Sequence, residues 1–496
     1  MELEHQEKKI IRDISKNFGT NIIARILALA RVLIVAKLLG PHFFGIWNGL
    51  QIILTYSSYV NFGLTNAMDR EYPYYLGKKE EDRAEKLKDT AFSSGLIMSL
   101  FFLVIITIVA FFLREKIPRI AAVGLLVMAV ASLLQMFVGY YRELFRLDKK
   151  IKSVNTVLLL FASIDFIFSV LLVARFKLYA LYVSILLSFT AVTVYILSSA
   201  KHYFRLRLEP KELWNLIKIG LPLMLVDLTA IAFLTVDKLM ILKLLNVTNL
   251  GYYGIGSLVT NFILYIPVAI QFVTYPYLLE QYGRAQEAAD LGQYLIPPTV
   301  FLSFFTPFLI GIILIFIHLP IKYFLSSFLP GLTAIKIIIG GAFFYSLTHL
   351  PCNFLIALRK HNKVIQILFL CIILNIILNY IFISRGMGIR GVALGTAISY
   401  FLVGTILLGY AVKHLLKNMI SVFKFFTRLY LPFIYTMGIF ILLNIFVVKD
   451  IVTLRDDIQL TTLRLLVFII FTLPLLFMKG KKLLTLKKIF EKIKLS

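Results

Sequence analysis

The longest uncharged stretches of this chain decide which solvent it can fold in. Residues 91–113 (AFSSGLIMSLFFLVIITIVAFFL) run for 23 positions without a charge, and apolar segments of this kind recur about fourteen times between short connectors rich in Lys and Arg. At about 1.5 Å per residue, a helix of this length crosses a hydrocarbon core of about 30 Å. We therefore expect most of the chain to lie in lipid.

The composition agrees with a polytopic membrane protein. Hydrophobic residues make up 59% of the 496 positions and charged residues 16%, a ratio that one water-soluble core could not hide. Lipid offers no partner to an open backbone group, so spans must be helices or closed barrel strands, and these runs are too long for strands of about ten residues. The predicted fold class is an all-α membrane protein with about 14 transmembrane helices.

The orientation of the spans follows from the positions of Lys and Arg. Of the 52 basic residues, 34 lie in the N-terminus, the even-numbered connectors and the C-terminus. The positive-inside rule places this group in the cytoplasm, so both termini are predicted to be cytoplasmic in a multi-pass protein of the cell (plasma or inner) membrane. The formal charge of +26 follows mainly from this asymmetry. Nucleic-acid binding is not predicted, because there is no soluble basic domain to perform it.

The spans and the flanking polar segments predict six parts of the chain. The first sixteen residues are polar and lack the pattern of a cleaved signal peptide. The predicted spans cover residues 17–39, 42–67, 91–113, 120–141, 154–174, 178–200, 214–245, 249–278, 291–317, 332–357, 364–384, 389–412, 429–448 and 462–478. The parts are a cytoplasmic interfacial segment (1–16), an N-lobe of six spans (17–200), a cytoplasmic linker (201–213), a C-lobe of six spans (214–412), two extra spans (413–478) and a basic amphipathic cytoplasmic tail (479–496).

An internal repeat relates the two lobes. The sequence KLLG at 37–40 recurs as KLLN at 243–246, an offset of 206 residues, and the Tyr-Pro-Tyr at 72–74 recurs at 275–277. A repeat of six spans is even, so both copies enter the membrane from the same side and are related by a pseudo-two-fold axis along the membrane normal. Transporters built from such repeats hold their substrate between the lobes and alternate access by rocking. This pattern favours a transporter over a channel or scaffold.

Two arginines in the first span are candidate ligands for an anionic headgroup. A cation near mid-membrane costs about 2.5 to 3.5 kcal/mol on insertion scales, so Arg25 and Arg31 are expected to face protein or a hydrated cavity. Six residues apart, they differ by about 240° around the helix, which suits two walls of a broad cavity. The alternative is an internal ion pair of Arg31 with Asp165, Asp227 or Asp237.

Further charged residues and prolines are candidates for coupling and gating. Adjacent Asp237 and Lys238 cannot face the same way, and Lys238 could pair with Asp165. A carboxylate that exchanges its partner for a proton or a sodium ion would couple transport to a gradient, with Asp237 as the candidate. Pro222 and Pro267 interrupt predicted helices where bending could assist opening.

The motifs of ATP hydrolysis and zinc chemistry are absent from the sequence. There is no G-x-x-x-x-G-K-[ST] phosphate loop, no H-E-x-x-H pair and no Cys/His cluster, and the two cysteines, Cys352 and Cys371, lie in apolar spans. No cofactor, metal or catalytic residue is predicted, so the energy for transport must come from a gradient or from the substrate.

Three motifs at span ends carry a family resemblance. Residues 36–45 (AKLLGPHFFG) resemble A-R-x-L-G-P-x-x-F-G, residues 63–70 carry G-L-x-x-A-x-x-R, and residues 388–396 (GIRGVALGT) form a small-residue motif that opens span twelve. In these motifs the chain resembles polysaccharide flippases of the multidrug/oligosaccharidyl-lipid/polysaccharide exporter superfamily. Lys37 stands where arginine is usual, which puts a bidentate role there in doubt.

This resemblance implies a function and partners. The chain would be a secondary transporter, not an enzyme, that moves a polyprenyl-pyrophosphate-linked oligosaccharide from the cytoplasmic to the outer leaflet for cell-surface polysaccharide synthesis. Membrane lipids, a polysaccharide polymerase and glycosyltransferases are its implied partners. A cation-coupled multidrug antiporter of the same superfamily and a lipid II-type peptidoglycan precursor flippase stay open as alternatives. Two cations in the first span argue against the antiporter.

Overall fold

The protein is helical throughout the part that the structure describes. The computed structural model describes residues 2–199, 205–285, 291–416, 418–447 and 453–478. Its helices are α1 (Glu2–Ser57), α2 (Leu64–Gly77), α3 (Glu81–Leu113), α4 (Arg119–Leu147), α5 (Ile151–Phe176), α6 (Leu178–Ser199), α7 (Pro210–Leu244), α8 (Val247–Ala285), α9 (Gly292–Phe316), α10 (Leu332–Ser346), α11 (His349–Ala357), α12 (His361–Ser384), α13 (Gly388–Val412), α14 (Met419–Phe446) and α15 (Leu454–Met478). No strand occurs in these ranges, and the predicted all-α class is confirmed. The tail at 479–496 lies outside them.

Twelve helical segments of the described chain are long and apolar enough to cross a membrane. They correspond one to one to the third through fourteenth predicted spans. The first two predicted spans, 17–39 and 42–67, both fall in α1, which is not among the twelve. Three cations, Arg25, Arg31 and Lys37, interrupt the first half of this helix.

α1 is two helices joined at a break. Gly40 has φ 70° and ψ 173°, a conformation that is open essentially to glycine alone, and Pro41 follows it. The break coincides with the boundary predicted between the first two spans. The second half ends at Ser57, so the turn at 58–63 shortens the predicted span 42–67.

The chain forms two compact units, which we call unit 1 (residues 1–228) and unit 2 (residues 229–496). In unit 1, α5 packs on both α1 and α6, and α3 packs on α4. In unit 2, α13 packs on both α10 and α12. The division falls inside α7, after the linker predicted at 201–213, of which residues 201–204 lie outside the described ranges. The predicted domain boundaries stay predictions.

Both units join two of their helices by the same turn. Lys149 and Arg359, 210 residues apart, each have a left-handed backbone with φ 58°. Five backbone hydrogen bonds around each residue have the same spacing, over residues 144–154 and 354–364. Unit 1 has the same turn a second time at Lys79, between α2 and α3. The place of the turn, before α5 in unit 1 and before α12 in unit 2, agrees with the repeat predicted from short motifs.

The burial pattern of α6 recurs in α13. Its ten buried positions all have buried counterparts 211 residues later. Ser188 Oγ donates to the Ser184 carbonyl at 2.7 Å, and Ser399 Oγ donates to the Gly395 carbonyl at 2.8 Å. The same residue positions thus make the same contact in the two units.

The last two helices pack on α9 within unit 2. Phe468 of α15 is fully buried and stacks on Phe308, with ring centroids 6.2 Å apart. It fills the space that Gly311 leaves open, because a Cβ at Gly311 would overlap its ring. These helices were predicted as extra spans outside the repeat, and aliphatic side chains such as Ile315 and Leu443 join Phe468 in the core between them and α9.

A buried carboxylate fastens the start of α15. Asp457 accepts hydrogen bonds from Lys322 Nζ at 2.8 Å and from Tyr323 Oη at 2.9 Å, and its Oδ1 lies 2.8 Å from His318 Nε2. Asp457 itself is 0% exposed. All three partners follow the end of α9, so this charge ties α15 to α9 at one end.

Candidate functional site

Arg31 lies in the interior of unit 1. Its Nε atom donates a hydrogen bond to Ser169 Oγ at 2.8 Å and lies 2.9 Å from Asp165 Oδ2. The residue is 8% exposed. Of the ion pairs that the sequence left open for Arg31, the structure contains the one with Asp165. The role of Arg31 in substrate binding stays a prediction.

Neutral partners make this charge pair tolerable in an apolar setting. Ser184 Oγ donates to Asp165 Oδ1 at 2.7 Å and lies 2.9 Å from Ser169 Oγ, while the Trp47 ring centroid is 5.6 Å from Arg31 Cζ. Burying two charges costs several kcal/mol per ion, which their attraction and such hydrogen bonds offset. Among the described residues, Arg31 Nη2 is buried without a partner. We call these five residues the Arg31 cluster.

Arg25 has different surroundings from Arg31. It is exposed on unit 1, next to exposed Ile22, Ile23 and Ile26 on the same helix. The two arginines predicted to line one cavity therefore differ, since one is enclosed by protein and the other lies at the surface of its unit. The substrate-binding role of Arg25 stays a prediction.

Asp237 is the corresponding buried charge of unit 2, at 2% exposure. Its carboxylate accepts hydrogen bonds from Tyr253 Oη and, at 2.7 Å, from the backbone amide of Lys238. No salt bridge reaches Asp237 among the described residues. The half-buried Lys238 side chain acts on it only electrostatically. A buried carboxylate with neutral donors alone favours uptake of a proton or cation.

Polar side chains continue from this carboxylate into α12 and α13. Tyr253 Oη lies 3.3 Å from Thr396 Oγ1, and Asn375 Nδ2 lies 3.5 Å from the same hydroxyl. Asn379 Nδ2 donates to Asn375 Oδ1 at 2.9 Å, and its own Oδ1 is buried with no partner in the described part of the chain. With Asp237, these residues form the Asp237 cluster. Carboxylate, hydroxyl and amide oxygens are the ligands that hard cations prefer.

Pro222 and Pro267 lie inside continuous helices, α7 and α8. Each removes one backbone donor from its helix. Two residues before Pro222, the backbone of Gly220 packs directly on that of Gly63, leaving no room for a Cβ on either glycine. This contact holds the first part of α7 on unit 1. The gating role of the two prolines stays a prediction.

A cavity of about 290 Å³ lies in unit 1 where α2 and the starts of α3 and α7 meet. On its wall, Arg83 Nε is 3.4 Å from Glu212 Oε1, and Arg83 Cζ is 4.4 Å from the Tyr75 ring centroid. Burial raises the pKa of Tyr75, and burial together with Asp148 raises the pKa of nearby Tyr72 to about 12. Both phenols therefore stay neutral donors at physiological pH.

Sequence reasoning missed the serine and aromatic members of the two clusters, whereas Asn375 and Asn379 stand out in the sequence as candidates for hydrogen bonds between helices. Ser169, Ser184 and Trp47 carry no charge to mark them in an apolar span, and Tyr253 is one of 25 tyrosines. The repeat offset offered one usable signal, since it pairs Trp47 with Tyr253. In the described residues, no group of three or more His, Cys, Asp or Glu side chains is placed to hold a metal ion.

Solved structures of membrane transporters share this fold. An inward-facing multidrug resistance MATE family transporter of the MOP superfamily matches with a TM-score of 0.63 over 81% of this chain and 96% of its own, at 13% identity. The lipid II flippase MurJ, in an inward closed conformation, matches with a TM-score of 0.61 over 93% and 99%, at 16% identity. A MATE in the bent conformation matches with a TM-score of 0.57 over 84% and 96%, at 14% identity. The chain is thus a multi-pass membrane protein with the fold of the MOP superfamily.

The family follows from the sequence itself. Residues 34–343 match the family described as polysaccharide biosynthesis protein, which is more than half of the chain. The chain belongs to this family. The resemblance predicted from residues 36–45 and 63–70 is confirmed, and both motifs lie in the matched range, whereas 388–396 lies beyond it. No curated protein matches the sequence.

Proposed function

We propose that this protein is a flippase that moves a polyprenyl-pyrophosphate-linked oligosaccharide from the cytoplasmic to the outer leaflet by alternating access. The observation that carries the proposal is the polysaccharide-biosynthesis family match over 34–343, in a chain with a transporter fold. Glycosyltransferases would act before this step, and a polysaccharide polymerase would act after it. The chain itself needs no catalytic residue for this function.

The headgroup contact is proposed for the first half of α1. Arg25 is exposed and carries a guanidinium, the side chain best suited to grip a pyrophosphate by two parallel hydrogen bonds. Arg31 can join it only if its contact with Asp165 opens, because that carboxylate holds its Nε edge in this conformation. We therefore assign the first contact with the substrate to Arg25.

Coupling to an ion gradient is proposed for the Asp237 cluster. Its carboxylate is buried among hydroxyl and amide groups, and Asn379 Oδ1 has no partner in the described residues. Binding a proton or a sodium ion would neutralise it. Transport would then depend on a sodium or pH gradient in the wild type and lose this dependence in Asp237→Asn.

A drug antiporter is the second candidate, since the fold of a MATE transporter matches with a TM-score of 0.63. A lipid II-type flippase is the third, because MurJ matches over 93% of this chain. The three functions differ in substrate and not in fold. Substrate tests must therefore separate them.

The experiment is a flipping assay in proteoliposomes. A membrane-impermeant reagent quenches the fluorescent polyprenyl-pyrophosphate oligosaccharide in the outer leaflet, while the lipid in the inner leaflet is protected. We expect the wild type to move this protected lipid to the outer leaflet, where its fluorescence is lost. Arg25→Ala should slow flipping by about tenfold, the loss for about 1.4 kcal/mol of binding at the barrier. Arg114→Ala, which removes another exposed arginine in the turn after α3, is the matched control and should not change the rate.

Two outcomes would contradict the proposal. Flipping equal to that of empty liposomes would exclude this substrate class, and cation-driven export of a dye from the same vesicles would establish the antiporter instead. Movement of a lipid-linked muropeptide, but not of a plain oligosaccharide, would assign the protein to peptidoglycan synthesis.

A further inference from the structure

The Arg31 cluster and the Asp237 cluster occupy corresponding places in the two repeats. The offset of 206 residues set by the KLL motifs pairs Arg31 with Asp237 and Trp47 with Tyr253. In each unit the aromatic residue contacts the charged one: Trp47 lies beside the guanidinium, and Tyr253 Oη donates to the carboxylate. All four side chains are buried. A shared sequence register therefore places a cation in unit 1 where unit 2 has an anion.

α5 of unit 1 and α12 of unit 2 give the same correspondence. The left-handed turn before α5 and before α12 sets an offset of 210 residues, which pairs Asp165 with Asn375 and Ser169 with Asn379. Ser169 Oγ lies 3.4 Å from Asp165 Oδ1, and Asn379 Nδ2 lies 2.9 Å from Asn375 Oδ1. The carboxylate of unit 1 is thus replaced by a neutral amide in unit 2.

The comparison is completed by α6 of unit 1 and α13 of unit 2. The offset of 211 residues between α6 and α13 pairs Ser184 with Gly395. Ser184 donates to Asp165, whereas Gly395 has no side chain and the Asn379 side chain takes up that space. Four positions of the two clusters therefore correspond, whereas Ser184 and Thr396 have the counterparts Gly395 and Ile185, which carry no polar side chain.

The two clusters differ in net charge. In unit 1 one guanidinium faces one carboxylate, so the cluster is neutral. In unit 2 a carboxylate stands at the position of the guanidinium and an amide at the position of the carboxylate, so the cluster carries one negative charge when Asp237 is ionised. The adjacent Lys238 acts on Asp237 only at a distance and forms no salt bridge with it among the described residues. A buried carboxylate without a paired cation takes up a proton or a cation.

We propose that the guanidinium of Arg31 is a built-in cation, which neutralises the polar cluster of unit 1 as a bound proton or monovalent cation neutralises that of unit 2. Unit 1 is then closed to ions as long as Arg31 pairs with Asp165, and ion exchange is confined to unit 2. The statement on unit 2 rests on the coupling proposed above, whereas the statement on unit 1 stands on the Arg31 cluster alone. Removing the guanidinium would open a cation site formed by Asp165, Ser169 and Ser184.

The test is rescue of Arg31→Ala by small cations. Purified wild type, Arg31→Ala and Arg31→Ala/Asp165→Asn are heated with millimolar methylguanidinium, sodium or choline chloride at constant ionic strength. We expect methylguanidinium or sodium to raise the melting temperature of Arg31→Ala. Methylguanidinium should shift neither the wild type, whose site is filled, nor the double variant, whose carboxylate is gone. All three proteins keep Asp237, so the rise with sodium in Arg31→Ala should exceed the rise in the other two. Choline is too large for the site and should shift none of them.

Equal responses of the single and double variants would overturn the proposal, because the carboxylate would then bind no added cation. If Arg31→Ala does not fold, Arg31→Gln is measured in the same way, with Arg31→Gln/Asp165→Asn as its control. Sodium dependence of transport in wild type and Asp237→Asn is recorded separately. Its absence in the wild type would remove the coupling proposed for unit 2 and leave the result on Arg31 intact.

Discussion

At the scale of single residues, the ion pair of Arg31 and Asp165 shows how unit 1 tolerates charge in an apolar interior. The two residues lie 134 positions apart and meet because α1 packs on α5. Two serines and a tryptophan complete their surroundings. Each charge depends on the other, because removing either residue would leave its partner buried with only neutral hydrogen-bonding groups around it.

This dependence predicts a large effect of Asp165→Ala. Breaking a buried pair by removing one partner costs about 3 to 5 kcal/mol, because the remaining charge stays buried. We expect a clear loss of thermal stability in detergent. Asp227→Ala is the matched control, since this exposed carboxylate of unit 1 has only a long hydrogen bond of 3.5 Å from Asn66. Equal melting temperatures for the two variants would contradict a stabilising role of the pair.

The sequence predicted part of this residue-level arrangement. The cost of a cation in lipid predicts that Arg31 faces inward, and the structure encloses it in protein. Which of three carboxylates pairs with it was open, because that choice depends on packing between distant helices. The neutral serines left no pattern in the sequence, because one hydroxyl in an apolar span is common. For Arg25, inward orientation stays a prediction.

At the scale of helices, the break in α1 depends on one glycine. Gly40 lies at φ 70° and ψ 173°, where a Cβ costs about 1 to 3 kcal/mol. We expect Gly40→Ala to lower thermal stability, with Gly139→Ala in α4 as the control. A Cβ at Gly139 meets no atom within 4 Å, so alanine should be neutral or slightly stabilising there. Equal effects of both changes would show that the break tolerates a side chain.

A second prediction at this scale concerns the attachment of α15 to α9. Asp457→Asn removes the charge that Lys322 and His318 contact, and hydrogen bonds to charged groups contribute about 1.5 to 3 kcal/mol each. We expect faster hydrogen–deuterium exchange over 454–474, with little change in unit 1. Asp456→Asn, which removes a charge at the start of the same helix and keeps an oxygen that can accept from the Thr453 amide and hydroxyl, is the control. Unchanged exchange in Asp457→Asn would assign the attachment to Phe468 instead.

At the scale of the whole molecule, the distribution of basic residues predicts a topology that labelling can test. Cys352 and Cys371 are first replaced by alanine, and one new cysteine is introduced at Glu115 or at Lys78, both exposed. We expect an impermeant maleimide to label intact cells at residue 115 only, since the positive-inside rule places residue 78 in the cytoplasm. Labelling at 78 and protection at 115 would show that the protein has the opposite orientation in the membrane.

The all-α fold class and the places of twelve spans could be predicted from the sequence because lipid imposes them through length and hydropathy. The ends of α1 show the limit. Its charges and its break at Gly40 could be predicted from the sequence. The turn at 58–63 could not and lies inside a predicted span, because apolar composition does not indicate the left-handed conformations of Phe62 and Gly63. The substrate cannot be predicted from the fold either, since a drug transporter and a lipid flippase share this fold.

The opposite charges at positions 31 and 237 have an electrical consequence. A membrane potential exerts force on net charge, at about 2.3 kcal/mol per elementary charge moved across 100 mV. The zwitterionic couple in the first repeat carries none and feels no such force, whereas an ionised Asp237 does. Of these two clusters, voltage would therefore act only on the one in the second repeat.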